Sequence, residues 1–329
     1  MKIAYHIGGA HHTPLKFYAK QLGIKYAVAS PCRPDGNPYA PYTGAWDYMP
    51  MRKIKQELSD FGMEWKVLEG VDFIDAAKLG TEDRDLAIDH FCTMLENMSK
   101  LGVDTVCYNW MPVWSWFRSR TEIELEGGAV ATGFKMSDVR DAPGANVTLS
   151  KDQLWTNLEY FLKKVVPVAE KTKVRLAVHP DDPPVDSIAG IDRILISADA
   201  MRQVTKLVPS EYNGITFCQG TFATMGEDVE KCIEMFSKDK TLFFAHFRDV
   251  EGTAEDFHET FHYNGKTNMY RAMKKYYECG FDGLMRPDHV PTMYGDDNSY
   301  PAYGILGNLV ATGYMMGLCE AIELELTTK

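Results

Sequence analysis

Eight short apolar segments alternate along the chain with amphipathic segments of helical period, and this alternation limits most strongly how the chain can fold. The apolar segments are rich in Val, Ile, Leu, Phe and Tyr, which is typical of strands buried on both faces of a parallel sheet. Several helical segments end in a glycine just before the next strand, as glycine commonly does at a helix end. The eight segments are KIAYHI (2–7), KYAVAS (25–30), EWKVLEG (64–70), DTVCYNW (104–110), KVRLAVH (173–179), GITFCQG (214–220), TLFFAHF (241–247) and DGLMRP (282–287).

Eight strand–helix units predict a closed (β/α)8 TIM barrel, which needs about 250 residues and fits within this chain of 329. A doubly wound open sheet is the competing fold, but no GxGxxG motif follows a strand. We therefore expect a single TIM-barrel domain over residues 1–329, with a long loop insertion at about 111–150 after the fourth strand. Loops of that length usually have a function, and this one could form a lid. A shorter loop is expected at 31–47.

Composition narrows the classes of partner. The net charge of −11 argues against nucleic acid, because phosphate binding needs a clustered basic surface. The sequence contains no run of about 18 apolar residues, so we expect no membrane span. The seven cysteines form no CxxC pair, which is typical of a reduced, cytoplasmic protein. Association into a homo-oligomer is left open.

Metal-ligand side chains stand at the ends of four consecutive predicted strands: His179, Cys218, His246 and Asp288. In a TIM barrel the active site lies at these ends, and neighbouring strands are about 5 Å apart, so the four side chains can converge on one ion. Imidazole, thiolate and carboxylate are all metal ligands. This set carries two negative charges when ionised, which matches a divalent cation. The ligand chemistry alone favours zinc.

Other side chains near these ends suit an anionic, sugar-like substrate. Arginines can bind a carboxylate through two hydrogen bonds, whereas amide and carboxylate groups can bind hydroxyls. The HETFH segment (258–262) is expected to be a loop with a substrate role. For Arg118 and Arg120, simple surface solvation is an equal alternative. The candidate substrate-binding residues are Asn109, Arg118, Asp181, Arg248, His258 and Arg286, with Arg120 as a further carboxylate ligand.

Six motifs in register resemble those of the mannonate dehydratase family: CYNWMPVW (107–114), HPDDPP (179–184), FCQG (217–220), HFRDV (246–250), FHETFH (257–262) and RPDHVPTM (286–293). The resemblance covers about residues 80–321. The segments 5–12 and 29–46, at the N-terminus and after the second strand, differ from the family's pattern, as do parts of the substrate loops.

The resemblance implies a TIM barrel of the xylose-isomerase-like kind that converts D-mannonate to 2-keto-3-deoxy-D-gluconate and water, in hexuronate catabolism. It implies a divalent metal, Mn²⁺ by preference with Fe²⁺ or Zn²⁺ as alternatives, bound by the same four residues. It also implies a catalytic pair, His289 and Tyr303. Three alternatives stay open: a metal-dependent sugar isomerase or epimerase, a dehydratase of a different aldonate, and a non-catalytic sugar-acid binder.

Overall fold

The computed structural model describes residues 1–8, 13–30, 44, 46–71, 73–147 and 149–328, so most of the loop expected at 31–47 lies outside the described residues. The strands are β1 (Lys2–Ile7), β2 (Tyr26–Ala29), β3 (Glu64–Glu69), β4 (Thr105–Asn109), β5 (Arg120–Glu124), β6 (Val130–Lys135), β7 (Arg175–His179), β8 (Ser187–Ile188), β9 (Ile191–Asp192), β10 (Asn213–Cys218), β11 (Leu242–Phe247), β12 (Val250–Thr253), β13 (Asp256–Glu259) and β14 (Leu284–Pro287). The helices are α1 (Thr13–Leu22), α2 (Tyr48–Asp60), α3 (Asp75–Leu79), α4 (Arg84–Leu101), α5 (Lys151–Thr172), α6 (Ala198–Leu207), α7 (Gln219–Thr224), α8 (Val229–Lys238), α9 (Met269–Glu278) and α10 (Ile305–Thr327), with a 3-10 helix at Met136–Asp138.

Eight parallel strands close a barrel in the order β1-β14-β11-β10-β7-β4-β3-β2. These are the eight apolar segments of the sequence, so the predicted TIM barrel is confirmed. A small apolar cluster fills the barrel interior with side chains from seven of these strands, whereas a much larger cluster lies between the strands and the surrounding helices. The strands are therefore buried on both faces, as their uninterrupted apolar character indicated.

Local signals set the helix ends. A capping box starts α5, in which Ser150 and Gln153 exchange side-chain and backbone hydrogen bonds. Gly102 ends α4 with φ at 70°, and Gly280 has φ at 67°, just before β14. Glycine adopts this left-handed conformation without steric cost, so each helix stops there and the chain turns back into the barrel.

The segment 111–150, expected to be an irregular loop, instead holds two strands. β5 and β6 form an antiparallel sheet with β13 and β12, in the order β12-β13-β6-β5. The expectation of a loop at 258–262 is also wrong in part, because His258 lies on β13, opposite Gly133 of β6. Each strand here is only four to six residues long and needs distant partners, so local periodicity gave little sign of them.

Among the described residues, α10 is one helix long and apolar enough to cross a membrane by length and composition alone. It packs on the barrel: Met315 and Ile322 are fully buried. Glu325 accepts hydrogen bonds from Lys274 of α9, at 2.7 and 2.9 Å. Core helices of proteins without membrane spans have the same apolar character.

Asp249 fastens the segment that follows β13 back to the end of β11. Its Oδ1 accepts hydrogen bonds from the backbone N–H groups of Val250 and Thr267, at 2.9 and 3.2 Å. Burial raises the pKa of Asp249 from 3.8 to about 6, against the lowering effect of these hydrogen bonds. The native state therefore holds this proton more tightly than the unfolded chain does.

We predict that this proton makes native stability pH-dependent. Its contribution is fully present below pH 3.8 and is lost as the pH rises through about 6. The loss amounts to about 2–3 kcal/mol at most. In Asp249→Asn, which keeps an acceptor oxygen, that part of the pH dependence should vanish. Denaturant unfolding of both proteins between pH 4 and 7 measures it, and parallel curves would contradict the prediction.

Candidate active site

Three of the four predicted metal ligands meet at the carboxyl-terminal end of the barrel. His179 and Cys218 are the last residues of β7 and β10, and His246 is the penultimate residue of β11. These strands are neighbours, and one nitrogen or sulfur atom from each side chain lies within 4.8 Å of the others. Such a group could hold a metal ion.

The fourth predicted ligand, Asp288, directly follows β14 and lies against the same group. Its Oδ2 is 3.8 Å from Sγ of Cys218 and 3.5 Å from Nδ1 of His246. Arg286 Nη1 lies 2.7 Å from Oδ1, and Arg248 Nε lies 2.9 Å from Oδ2. Burial alone would raise the pKa of Asp288, but Arg286 and nearby histidines hold it well below its ordinary value. The carboxyl group is therefore ionised.

Local contacts leave His179 and Cys218 in forms that can bind a metal ion. Nδ1 of His179 lies 2.7 Å from the carbonyl oxygen of Pro180. A carbonyl only accepts, so Nδ1 carries the proton and Nε2 keeps its lone pair for a metal. Burial alone would raise the pKa of the Cys218 thiol, but Arg248 and His179 lower it well below its ordinary value. The thiolate is the form that binds metals.

Glu69, the last residue of β3, belongs to the site although the sequence reasoning missed it. Its carboxylate binds Arg286 through two hydrogen bonds of 3.0 and 2.8 Å, and its Oε1 lies 3.2 Å from Nε2 of His246. Burial and Arg286 would lower the pKa of His246, but Glu69 and Asp288 raise it well above its ordinary value. The surroundings of His246 therefore favour a positive charge. Glu69 could have been predicted from its position, because it is the last residue of the third barrel strand.

The charges of the whole network fit a divalent cation. Each charged member has an ionic partner within it, and all are buried or nearly so. Three guanidinium groups face four carboxylates and one thiolate, so these eight groups alone carry two unbalanced negative charges, which favour a proton on His246 or a cation in its place. Buried charge without compensation is costly, and a divalent ion would supply that compensation. The members are Arg118, Arg248 and Arg286 against Glu69, Asp182, Glu259, Asp288 and Cys218.

The two predicted catalytic residues are in contact. His289 follows Asp288, and its Nε2 lies 3.2 Å from the Tyr303 hydroxyl. Burial raises the pKa of Tyr303, so its hydroxyl stays protonated at neutral pH. The Trp116 ring lies 4.9 Å from that of His289, centroid to centroid, which places part of the aromatic segment 114–117 on the site.

Glu259, also missed by the sequence reasoning, lies behind His289. Its Oε1 is 2.9 Å from Nδ1 of His289 and accepts a hydrogen bond of 2.6 Å from Arg118. Its Oε2 accepts one of 2.8 Å from Arg248, and both arginines also bind Asp182. The sequence analysis placed a substrate residue in the HETFH motif but chose His258. Neighbouring residues of a strand face opposite ways, so Glu259 faces the site and His258 does not.

The predicted substrate-binding arginines are all paired with carboxylates of the protein. Arg118 and Arg248 bind the two carboxylates just described, and Arg286 binds Glu69 and Asp288. Arg120 lies elsewhere: its side chain is 47% exposed and pairs with Asp138. Surface solvation, one of the two alternatives, therefore describes Arg120 but not Arg118.

The remaining predicted substrate residues differ in position. Asn109 ends β4 beside His179, and its Oδ1 accepts hydrogen bonds from Lys78 Nζ and the backbone of Met111, at 3.1 and 3.0 Å. Asp181 is fully buried, and its Oδ2 accepts from the backbone N–H groups of residues 194 and 195, which ties it to the chain rather than to the mouth of the barrel.

Comparison with known proteins identifies the family of the chain. The family model for D-mannonate dehydratase (UxuA) matches residues 36–149 and 136–329. The mannonate dehydratase of Thermotoga maritima is 31% identical over 319 residues, covering 86% of this chain and 88% of that protein. The one from Streptococcus agalactiae is 33% identical over 311 residues with the same coverage. The chain therefore belongs to the mannonate dehydratase family and is a lyase of the hydro-lyase class.

Solved structures extend the comparison. The crystal structure of mannonate dehydratase from Streptococcus suis serotype 2 has a TM-score of 0.89 and 31% identity, covering 99% of this chain and 95% of that one. A xylose isomerase domain protein from Planctomyces limnophilus has a TM-score of 0.59 at 12% identity, covering 98% and 96%. The second likeness concerns the fold alone and confirms the xylose-isomerase-like barrel.

We predict that the buried Arg118 stabilises the protein far more than the exposed Arg120. Arg118→Met leaves Asp182 and Glu259 buried with one guanidinium fewer, which should cost about 3–5 kcal/mol of unfolding free energy. Arg120→Met breaks a similar paired contact with Asp138 in solvent and should change stability little. Denaturant unfolding compares the two, and equal losses would contradict the prediction.

Proposed function

We propose that this chain is a metal-dependent dehydratase that converts D-mannonate to 2-keto-3-deoxy-D-gluconate and water. The observation that carries the proposal is a group of buried imidazole, thiolate and carboxylate donors next to a hydrogen-bonded His–Tyr pair, in a member of the mannonate dehydratase family. We assign the metal to His179, Cys218, His246 and Asp288.

Dehydration of an aldonate removes the proton beside the carboxylate and then the hydroxyl of the next carbon. His179, Cys218, His246 and Asp288 would hold a divalent ion, which would supply Lewis-acid stabilisation for the negative charge that develops. The proton steps fall to His289 and Tyr303, one as base and the other as acid, at Nε2 and the phenolic oxygen. Asn109 can offer its amide N–H group to a substrate oxygen, because its Oδ1 is already engaged.

We propose Mn²⁺ as the resident ion, with Fe²⁺ and Zn²⁺ as the alternatives. A mixed thiolate and imidazole set would suit zinc, whereas the family resemblance favours manganese. We also propose that the 329 residues act as one domain in the cytoplasm, in hexuronate catabolism, with a small sugar acid as substrate.

Two other functions are separated by one assay. An isomerase or epimerase leaves the mass of its substrate unchanged, whereas a dehydratase lowers it by one water. The enzyme is incubated with D-mannonate and a panel of other aldonates, with and without each metal, and the products are analysed by mass spectrometry. A 2-keto acid from D-mannonate supports the proposal. An isomeric product, or turnover of another aldonate alone, overturns it.

We predict that Cys218→Ala and His246→Ala each lose bound metal and activity together while the fold is kept. Each removes one donor from the group of three. Cys232→Ala is the matched control, since that buried thiol lies on α8 away from the site. Metal analysis of the purified proteins measures the effect, and unchanged metal content in the two site variants would refute the ligand assignment.

We predict that His289→Asn abolishes turnover but retains the metal, because His289 acts on protons rather than as a ligand. General acid–base groups contribute about 10²–10⁴-fold in rate. Steady-state kinetics and metal analysis on the same preparation separate the two roles. Turnover near that of the wild type would remove His289 from the mechanism.

A further inference from the structure

The carboxylate of Glu259 lies 2.9 Å from Nδ1 of His289, closer than the Arg118 guanidinium, whose Nη2 lies 3.5 Å from the same nitrogen. The side chain of Glu259 is 0% exposed. Each of its oxygens is engaged by cationic or N–H donors: Arg118 and His289 at Oε1, Arg248 at Oε2. Burial alone would raise the pKa of Glu259, but Arg248, His289 and Arg118 lower it to about 2.

An ionised carboxylate can only accept hydrogen bonds, and this determines which nitrogen of His289 carries a proton. Nδ1 lies 2.9 Å from Oε1 of Glu259, so Nδ1 must be the donor, whether the ring is neutral or positive. Nε2, on the other side of the ring, lies 3.2 Å from the Tyr303 hydroxyl. Nε2 is therefore the nitrogen that can exchange a proton with Tyr303 or a substrate.

The four-stranded sheet outside the barrel holds this carboxylate in place. Phe257 and Glu259 share the buried face of β13, while His258 lies between them on the other face. β13 pairs closely with β6: a Cβ atom at Gly133 would lie 2.5 Å from the carbonyl oxygen of Phe257. The two strands are too close for a side chain to fit between them at this point, so backbone pairing fixes the position of Glu259.

We propose that Glu259 is a positioning residue for His289, which keeps a proton on Nδ1 and aims Nε2 at Tyr303 and the reacting atoms. Of its partners Arg118, Arg248 and His289, only His289 takes part in the proposed proton transfer, so Glu259 acts on the reaction through His289. The inference rests on the proposed function, in which His289 moves a proton. It adds a residue from outside the barrel, supplied by the β12–β13 hairpin, to that function.

Asp182 offers a matched control. It binds the same two arginines, Arg118 and Arg248, and is as deeply buried, but its carboxylate has no hydrogen bond to His289. Glu259→Gln and Asp182→Asn each remove one negative charge from the same network. A purely structural role predicts similar losses of stability and of kcat in both. A positioning role predicts that Glu259→Gln alone loses kcat by about 10²–10⁴-fold, with KM and metal content little changed.

The second readout is the protonation of His289 itself, which does not depend on activity. Enzyme with ¹⁵N-labelled histidine is loaded with diamagnetic Zn²⁺, and the His289 signals are assigned by their loss in His289→Gln. We expect a proton on Nδ1 in the wild type and its partial or complete loss in Glu259→Gln. If that variant does not fold, Glu259→Asp, which keeps the charge but withdraws the carboxylate, takes its place.

Equal losses of kcat in the two network variants would overturn the proposal, as would an unprotonated Nδ1 in the wild type or an unchanged ring in the Glu259 variant. The proposed function can fail separately. A wild-type enzyme that forms no 2-keto acid, yet shows the expected His289 signals, would refute the dehydratase assignment and leave the control of His289 by Glu259 standing.

Discussion

The site is built around Arg248, whose guanidinium joins the two halves of the network. Its Nε lies 3.3 Å from the Cys218 sulfur and 2.9 Å from Asp288, while Nη1 and Nη2 reach Glu259 and Asp182. Carboxylates and a thiolate buried together would repel one another, and each would lose its hydration. Arg248 compensates both groups at once. The candidate metal ligands and the carboxylate that binds His289 are therefore parts of one electrostatic unit.

Two structural elements share the work of building this unit. The barrel supplies the candidate metal ligands from strand ends that hydrogen bonding holds in register, as in the pairing of Cys218 with His246. The sheet formed by β5, β6, β13 and β12 supplies Glu259, and the segment leading into it supplies Arg118. This arrangement is typical of TIM barrels, in which strand ends supply some side chains of the site and the segments that follow the strands supply others.

The sequence predicted the barrel and the meeting of His179, Cys218 and His246 at one end of it, because both depend on local patterns. A buried parallel strand is apolar throughout, and its last residue faces the mouth of the barrel, so His179 and Cys218 could be identified by position. The sheet outside the barrel depends on pairing between β6 and β13, which are separated by more than a hundred residues. For this reason Glu259 and the buried role of Arg118 were not predicted. Glu69 could have been, since it obeys the same positional rule.

The paired arginines bear on how an anionic substrate can be bound. Arg118, Arg248 and Arg286 are already paired with carboxylates of the protein. An aldonate could bind one of these arginines only by displacing its buried partner, at a cost of several kcal/mol. The network also carries two unbalanced negative charges, which would repel a carboxylate. The indole N–H of Trp116, whose ring lies beside that of His289, is a neutral donor with no hydrogen-bond partner within the described structure.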